Sequence, residues 1–567
     1  MNHQGTRSPT HGPESEPGRH RRETPGQHGH AGLPALAANA AQRLADRLTP
    51  AVGARAAVSW VHAGAVLAWA AGTGLFDAGI APAATAAGTL RALDRLAAAH
   101  PALAGFADPA VCALREQPIG NADTADITAL WSAHPLEDPD HRPHGYLLGN
   151  AYQALSAEAR RERALAQTPR FVTSLLLDLA FDPAAEEFGI RGLRMVDPSC
   201  GTGHILVETL IRAWTWRPRG RSNHAPRGIE AALEAVHGVD LDPYAALLAR
   251  LRLTVMASAI GRADGGHRGG PRFLPAAAAV NVADADALLD AGEPLLQRGR
   301  YHVVVGNPPY ITPKDPAVRA AVRAAWPQVC HGKYALSLPF HQLSTALLVP
   351  GGWCAQLTAN SFMKREFGRP FVEQVLARQD LQWVVDTSGA YLPGHGTPTV
   401  ILVHRHREPV GDRVTTVRGI NGEPSLPADP SQGQVWRAIV EQVDTLLAHR
   451  RLAAALERAN LAAPQGPCAD GQNGSGRGGR SPPARRAPFP HRPRTGARRH
   501  AARVRCPQAG GPTVYPAARR LPRPPTIGST SCSRSSSPPP PPRPALPLLR
   551  PPLPGRRPSR CARTSSR

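Results

Sequence analysis

The apolar and polar positions of this chain fall into three regimes. From Leu33 to about Gln153, runs rich in Ala and Leu carry Arg and Asp at helical spacing, as in AAQRLADRL and TLRALDRLAAA. Pro82, Pro101, Pro109 and Pro118 punctuate them, which predicts several helices joined by turns. From about Gln167 short apolar runs alternate with longer amphipathic ones. QTPRFVTSLLLDLAFD predicts a helix with Thr168 as its cap and Pro169 in its first turn. LRMVDPSCGTGHILVETLI predicts a strand over Leu193 to Val196, a tight loop from Asp197 to Gly203, and a helix from His204 to Ile211. VHGVDLDPYAALLARLRL predicts a strand ending in Asp240 and then a helix, and VNVADADALLD a third strand. YHVVVGNPPYI predicts a buried strand over His302 to Val305, because three consecutive valines suit a parallel strand covered on both faces. VWRAIVEQVDTLLAHRRLAAALERAN predicts a further helix up to Asn460. Beyond Gly466 the third regime begins, composed of Arg, Pro, Ser, Gly and Ala, which cannot bury a core.

Charge changes the picture once its location is considered. The formal net charge is +23. From Pro467 to Arg567 there are 21 Arg, no Lys and a single acid, Asp470, so residues 1–466 carry only about +3. The body does not by composition announce a nucleic-acid partner. The eight cysteines of the whole chain include no CxxC pair and no metal-ligand spacing; four lie in the tail, and Cys112, Cys200, Cys330 and Cys354 in the body are expected to be reduced thiols in a cytoplasmic protein. Residues 1–32 are polar and rich in Gly, Pro and His; they read as a disordered leader without a secretory signal. His20, His28 and His30 lie there, and no metal is expected. The most apolar window, Ala56 to Phe76, contains His62 and is expected to be a buried helix, not a membrane span.

The candidate chemistry sits at predicted strand ends. In an open α/β sheet, ligands bind outside the carboxyl ends of the strands. Gly201 and Gly203 open a strand–loop–helix unit that brings backbone close to a cofactor, but Leu206 stands where a dinucleotide fingerprint needs its third glycine. The phosphate-loop pattern is missing as well, so a cofactor without a pyrophosphate fits better. Asp240 is placed to bind ribose hydroxyls. Asp284 and Asp286 follow the third strand, with Leu288 as an apolar wall for a ring. After the fourth strand, Asn307-Pro308-Pro309-Tyr310 holds an amide, a carbonyl and an aromatic ring at one stiff point, suited to a planar, amine-bearing substrate. Each carboxylate taken alone is equally a helix cap, and the Asn-Pro-Pro a simple turn.

TPRF, DPSCGTG, GVDLDP, NVADADAL and GNPPYI, in this order, resemble the S-adenosylmethionine-dependent DNA adenine-N6 methyltransferases whose target-recognition domain follows the catalytic motifs. The resemblance covers roughly residues 145–410. The segments LVPGGWCAQLTANSFMKREFGRPF and WVVDTSGAYLPGHGTPTVILVHRHR narrow it to the adenine methyltransferases of phage-growth-limitation (BREX-type) defence systems. It implies a Rossmann-like class I methyltransferase sheet of α/β class, which joins the N-terminal helical domain and the disordered C-terminal tail read from the residues above. It also implies S-adenosyl-L-methionine as cofactor, double-stranded DNA as partner beside other defence-system proteins, and no membrane. Thr168, Pro169 and Phe171 would border the methionine end, Asp197, Gly201 and Gly203 would form the cradle, Asp240 would bind the ribose, and Asp286, preferred over Asp284, the adenine amine. Asn307 and Pro308 would hold the target N6, Pro309 would stiffen the turn, and Tyr310 would stack on the base. The same tetrapeptide serves enzymes that methylate RNA or protein glutamine, and an inactive DNA-binding remnant is a third reading.

The expected organisation is a leader over 1–32, a helical domain over 33–153, the methyltransferase domain over 154–410, the start of a target-recognition region over 411–465, and the Arg/Pro-rich tail over 466–567. Lys occurs in the body only at 314, 333 and 364, and Ala, Arg, Gly and Pro abound, as in GC-rich coding. The tail is therefore expected to be a frameshifted reading of such a gene, with an arginine-rich phosphate-binding arm as the alternative.

Overall fold

In the computed structural model of the protein, the described residues are 33–462, apart from 139–141, 162, 164, 218–227, 264–280, 420 and 421. The leader with its histidines, and the tail expected to be frameshifted, lie outside them.

The chain begins with a helical layer: α1 (Ala35–Val52), α2 (Ala54–Gly72), α3 (Ala86–Ala99), α4 (Asn121–Ala133), α5 (Tyr146–Leu155) and the short α6 (Ala157–Arg161). Helix α1 buries Ala37, Ala41, Ala45 and Leu48, a stripe at i, i+4 and i+3 that marks an amphipathic helix. Helix α2 is apolar on all sides, buries most of residues 56–70, and is the centre of the layer. His62 inside it is satisfied by Tyr244 Oη (2.9 Å) and the Leu148 carbonyl (3.0 Å).

The second part alternates strands and helices. Eight strands, β1 (Met195–Asp197), β2 (Val236–Asp240), β3 (Val282–Asp284), β4 (Tyr301–Gly306), β5 (Leu348–Ala359), β6 (Asp380–Asp386), β7 (Thr399–Arg405) and β8 (Thr415–Arg418), form one sheet in the order 3-2-1-4-5-7-6-8. Only β7 runs against its neighbours. The expected α/β class and Rossmann-like sheet are thus present. Strand ends move by one or two residues from the sequence expectation. Asp197 still pairs with Gly238, and Gly306 with Gln356, so the ladder continues up to the loops that carry the candidate chemistry.

Helices α7 (Arg170–Phe188), α8 (His204–Thr215), α9 (Ile229–Leu233) and α10 (Pro243–Ala263) connect or flank the early strands, and α11 (Pro316–Ala325) and α12 (Ser337–Leu347) lie between β4 and β5. One core joins α7, α8, α10 and the sheet to α13 (Gln434–Ala462). A second fills the opposite face, with Trp326, Leu338 and Phe371 against Val304 and Leu402. Helix α10 serves two neighbours. Met256, Ala257 and Ile260 enter the sheet core, while Tyr244, Leu247, Leu248, Leu251 and Val255 enter the core of the helical layer. Among the described residues it is the one helix long and apolar enough to cross a membrane, yet 83% of that window is buried in the fold. Its apolar length reflects burial between two layers.

One expectation fails locally. Helix α7 starts at Arg170 with Pro169 in the cap position, where its carbonyl accepts from Val172 N and Thr173 N, both at 3.0 Å. Thr168 is not the cap. Proline lacks an N–H and holds φ near the value a helix entry needs, so it takes that place and leaves the Thr168 hydroxyl free to face another loop.

The order 2-1-4-5 puts a topological switch between β1 and β4, since the chain leaves β1 toward one edge and β4 toward the other. Strand β6 runs parallel to β5, because both are antiparallel to β7. Its loop to β7, residues 387–398, therefore lies at the same carboxyl edge.

Candidate active site

The loop after β1 is shaped by its glycines. Gly201 (φ 53°) and Gly203 (φ 86°) adopt left-handed backbone, and a Cβ at Gly203 would lie 2.9 Å from that of Ala249 in α10. Only glycine allows α8 to start so close to α10. Asp240 ties this loop to the next: its Oδ2 accepts from Gly201 N at 2.7 Å and its Oδ1 from Asp242 N at 2.9 Å. Asp197, fully buried, accepts from Ser199 N at 3.0 Å.

Two carboxyls are thus held together, with Arg163 of the same pocket as the nearby cation acting on Asp240. Burial first, then the nearby Asp240 charge, pushes Asp197 up to about 7 against the hydrogen bonds from Ser199. Burial pushes Asp240 up to about 6 against the bonds from Asp242 N and Gly201 N. In the folded chain both carboxyls therefore keep their protons to higher pH than free carboxyls do. Stability from this source is greatest at low pH and falls as pH rises from the ordinary value of 3.8 through 6 and 7. A positively charged ligand lying against them would reverse that trend.

The helical layer supports the same loop from behind. Arg252 of α10, with no exposed surface, donates to the Thr202 carbonyl at 2.6 Å and to the His144 carbonyl at 2.8 Å. Its guanidinium lies 5.3 Å from the centre of the Tyr146 ring. Burial lowers this arginine to about 10. Gly149 of α5 faces Thr202 so closely that any Cβ there would collide with the hydroxyl. At the mouth, Asp242 is held by Arg163 (2.7 Å) and by the Tyr152 hydroxyl, which donates at 2.6 Å.

The loop after β4 supplies the other half. Asn307 Nδ2 donates to Thr168 Oγ1 (3.2 Å), His395 Nε2 (3.1 Å) and, at longer range, the Ala166 carbonyl (3.4 Å). Asn307 Oδ1 accepts from the Tyr310 hydroxyl at 2.5 Å. Burial holds that hydroxyl well above its ordinary value, so it remains a donor. An amide oxygen has two lone pairs, and one stays available to a substrate N–H.

Thr168, Asp197, Gly201, Asp240, Asn307 and Pro309 line one pocket at the switch point. Pro169 and Phe171 line an adjoining groove of about 540 Å³ that also reaches Thr168, His204 and Pro393. The Phe171 ring packs edge-on against Trp436 of α13, 4.8 Å between centres, so it also braces the fold. Gly203 acts through backbone and packing. Asp286 caps its own turn, accepting from Leu288 N (2.9 Å) and Leu289 N (3.2 Å), and does not line the pocket. Its neighbour Asp284 is engaged by Arg250 at 2.7 Å. Arg163, Arg252 and His395 carry no signal in the sequence. Each lies tens of residues from the loop it serves, and nothing marks Arg163 among Arg160 and Arg161, or Arg252 beside Arg250. Asp242 stands in the open in GVDLDP, where the strand-end pattern points to Asp240 instead.

Residues 234–392 match the model of the Eco57I restriction-modification methylase family. The chain is 42% identical over 345 residues to the adenine-specific methyltransferase PglX of Streptomyces coelicolor, covering 52% of this chain and 28% of that protein. It is 30% identical over 301 residues to the type II methyltransferase M.PaeR7I of Pseudomonas aeruginosa, covering 49% of this chain and 48% of that one. The chain thus spans under half the length of either relative. A solved structure, the type IIL restriction-modification enzyme MmeI in complex with DNA, is 17% identical, with a TM-score of 0.49 over 69% of this chain and 59% of that one.

Proposed function

We propose that this chain, a relative of adenine-specific methyltransferase PglX with an Eco57I-type methylase segment, transfers a methyl group from S-adenosyl-L-methionine to N6 of an adenine flipped out of double-stranded DNA. The observation that carries the reading is the Asn307 carboxamide. It is oriented by three acceptors on its nitrogen and sits in one pocket with Gly201, the buried Asp197 and the half-buried Asp240.

That pocket, about 40 Å³ by itself, suits the cofactor together with the adjoining groove. Asp197 and Asp240 hold their protons above the usual carboxylate range beside Arg163, which is itself paired with Asp242, and a sulfonium with its α-ammonium brings further positive charge. Gly201 and Gly203 keep side chains out of the cradle, Asp240 retains lone pairs for ribose hydroxyls, and Thr168 stands between the cradle and Asn307. When bound, S-adenosylmethionine supplies an electrophilic methyl that needs no activation by the protein. The residues of the chain act on the other reactant. The exocyclic nitrogen of adenine is a weak nucleophile because its lone pair is delocalised into the ring. Asn307 Oδ1 and the Pro308 carbonyl accept hydrogen bonds from its two N–H groups, favour a pyramidal nitrogen and stabilise the positive charge that grows on it until, the methyl having moved from sulfur to nitrogen, one N–H proton passes to water. Pro308 and Pro309 hold these acceptors still, so little reorganisation is needed. Tyr310 borders the base site, where an aromatic ring offsets part of the cost of unstacking. Asp286 would serve the cofactor adenine through Oδ2, its Oδ1 being taken by the turn. Action in the cytoplasm within a phage-defence system, beside other defence proteins, is part of the same proposal.

The test is incubation of the full chain with radiolabelled S-adenosylmethionine and separate DNA, RNA and protein acceptors, with N6-methyladenine measured by mass spectrometry. Label in DNA adenine is expected. Label confined to RNA or to protein glutamine, or bound cofactor without any transfer, would overturn the reading.

The carboxyl pair makes a further prediction. Cofactor affinity should rise at least ~10-fold between pH 5.5 and 7.5, because each pKa unit relieved by the ligand's charge is worth a factor of about ten. S-adenosylhomocysteine, with a neutral sulfur, should show a smaller rise. Calorimetry over this range checks it, and equal, flat affinities would remove Asp197 and Asp240 from contact with the sulfonium.

A further inference from the structure

The loop between β6 and β7 brings a histidine to the catalytic amide, and nothing in the reaction as described so far uses it. His395 Nε2 lies 3.1 Å from Asn307 Nδ2, and His395 Nδ1 lies 3.1 Å from the Pro393 carbonyl. A carbonyl can only accept, so Nδ1 carries the proton and Nε2 presents a lone pair. The loop holds the ring there. Leu392 is buried, Gly394 takes a left-handed φ of 78°, and His395 N donates to the Leu392 carbonyl at 3.1 Å.

An asparagine side chain has two ends of nearly equal shape and opposite hydrogen-bonding sense. For the proposed reaction the oxygen must face the substrate amine, since the flipped amide would set NH2 against NH2. Two of the partners of Asn307 cannot enforce this, because the hydroxyls of Thr168 and Tyr310 either donate or accept. The Ala166 carbonyl has a fixed sense but stands at 3.4 Å, beyond the usual range for such a bond. Among the described partners, His395 is the close one whose polarity is set from elsewhere, by Pro393.

We infer that His395 is a positioning residue, resting on the methyl-transfer reading above: its Nε2 lone pair holds the Asn307 carboxamide with Oδ1 turned toward the substrate nitrogen. A protonated ring would donate from both nitrogens and favour the flipped amide, so the site carries an acid switch. Burial, partly offset by the Pro393 carbonyl, lowers His395 below its ordinary 6.5, which keeps the lone pair in place at neutral pH. Of the groups around the ring, Asn307, Thr168 and the Ala166 and Pro393 carbonyls are neutral. Tyr310, 6.1 Å away between ring centres, is titratable but remains protonated. Asp197 and Asp240 titrate nearby in the cofactor cradle, and the test must separate them from His395.

Three forms of the full chain are compared: wild type, His395→Leu, which removes the acceptor, and His395→Gln, which can accept but does not titrate. With asparagine labelled by 15N, the Asn307 side-chain amide pair is identified by its loss in Asn307→Asp. In wild type that pair should show a titration step below pH 6.5 that is absent in both His395 variants. Single-turnover methyl transfer at saturating cofactor should fall about tenfold in His395→Leu, the effect of one lost hydrogen bond on the amide equilibrium. It should stay within about fivefold in His395→Gln, whose acid limb should shrink. Cofactor affinity should be the same in all three. An amide pair that titrates identically in wild type and His395→Gln overturns the inference, as does a His395→Leu enzyme as fast as wild type. The amide titration needs no transfer. A wild type that binds cofactor yet methylates no DNA would therefore count against the reaction, while the spectra would still decide the role of His395.

Discussion

Asn307→Ala is expected to reduce methyl transfer to DNA at least ~100-fold, the scale seen when one preorganised polar partner of a developing charge is removed. The structure sharpens why binding and catalysis should separate. The amide is fastened by Thr168, His395 and Tyr310, of which His395 is anchored in turn on the Pro393 carbonyl, and none of the backbone bonds of the cofactor loop depends on it. Cofactor affinity should therefore stay within a few-fold of wild type. The rate loss should appear in single-turnover transfer, where product release plays no part. A parallel fall in cofactor affinity and rate would make Asn307 a structural residue, and the assignment of the reaction would fall with it.

The second large effect is expected at Asp240. From the sequence this residue is expected to bind the ribose, and in the structure its two oxygens already accept from Gly201 N and Asp242 N. Asp240→Ala would leave both N–H groups without their acceptor and loosen the cradle at the point where the β1 and β2 loops meet. S-adenosylmethionine binding should weaken by roughly 1.5–3 kcal/mol, the usual worth of hydrogen bonds to a charged group. DNA affinity of the cofactor-free protein should hardly change. Asp240→Asn, which keeps one oxygen acceptor, should lose less. Calorimetry with cofactor alone measures all three proteins, and a dissociation constant unmoved by Asp240→Ala would reduce this residue to a turn cap.

Both predictions depend on the loops after β1 and β4 meeting at one place, and that meeting has a simple cause. Strands β1 and β4 are neighbours in the sheet although about a hundred residues separate them in the chain. Consecutive valines in β4, glycines at positive φ after β1 and the prolines after Gly306 each state a local preference that the fold obeys. For that reason the α/β class, the strand-ending acids and the long helix over 434–462 are legible in order along the chain. Boundaries differ only where neighbouring strands extend the ladder, as at Asp197 and Gly306.

Local preference also explains the places where the sequence misleads. Thr168 resembles a helix cap because Thr before Pro at a helix entry usually is one. Its hydroxyl instead faces Asn307, 139 positions later in the chain. Asp286 matches a ligand pattern, and its nearest demand is the pair of N–H groups in its own turn.

Legible along the chain, then, are the local elements: parallel strands, glycine turns, acids at strand ends and an Asn-Pro-Pro-Tyr after a buried strand. These follow from side-chain shape, backbone freedom and periodicity, which act over a few residues. The tertiary structure alone decided which distant groups complete the site. Arg252 reaches the Thr202 carbonyl because α10 is packed between two layers. His395 reaches Asn307 because β6 runs parallel to β5 and delivers its loop to the same edge. The raised values of Asp197 and Asp240 likewise arise only when burial removes water from two carboxyls brought side by side. Such pairings depend on strand order and burial, and neither leaves a mark in the residues next to them.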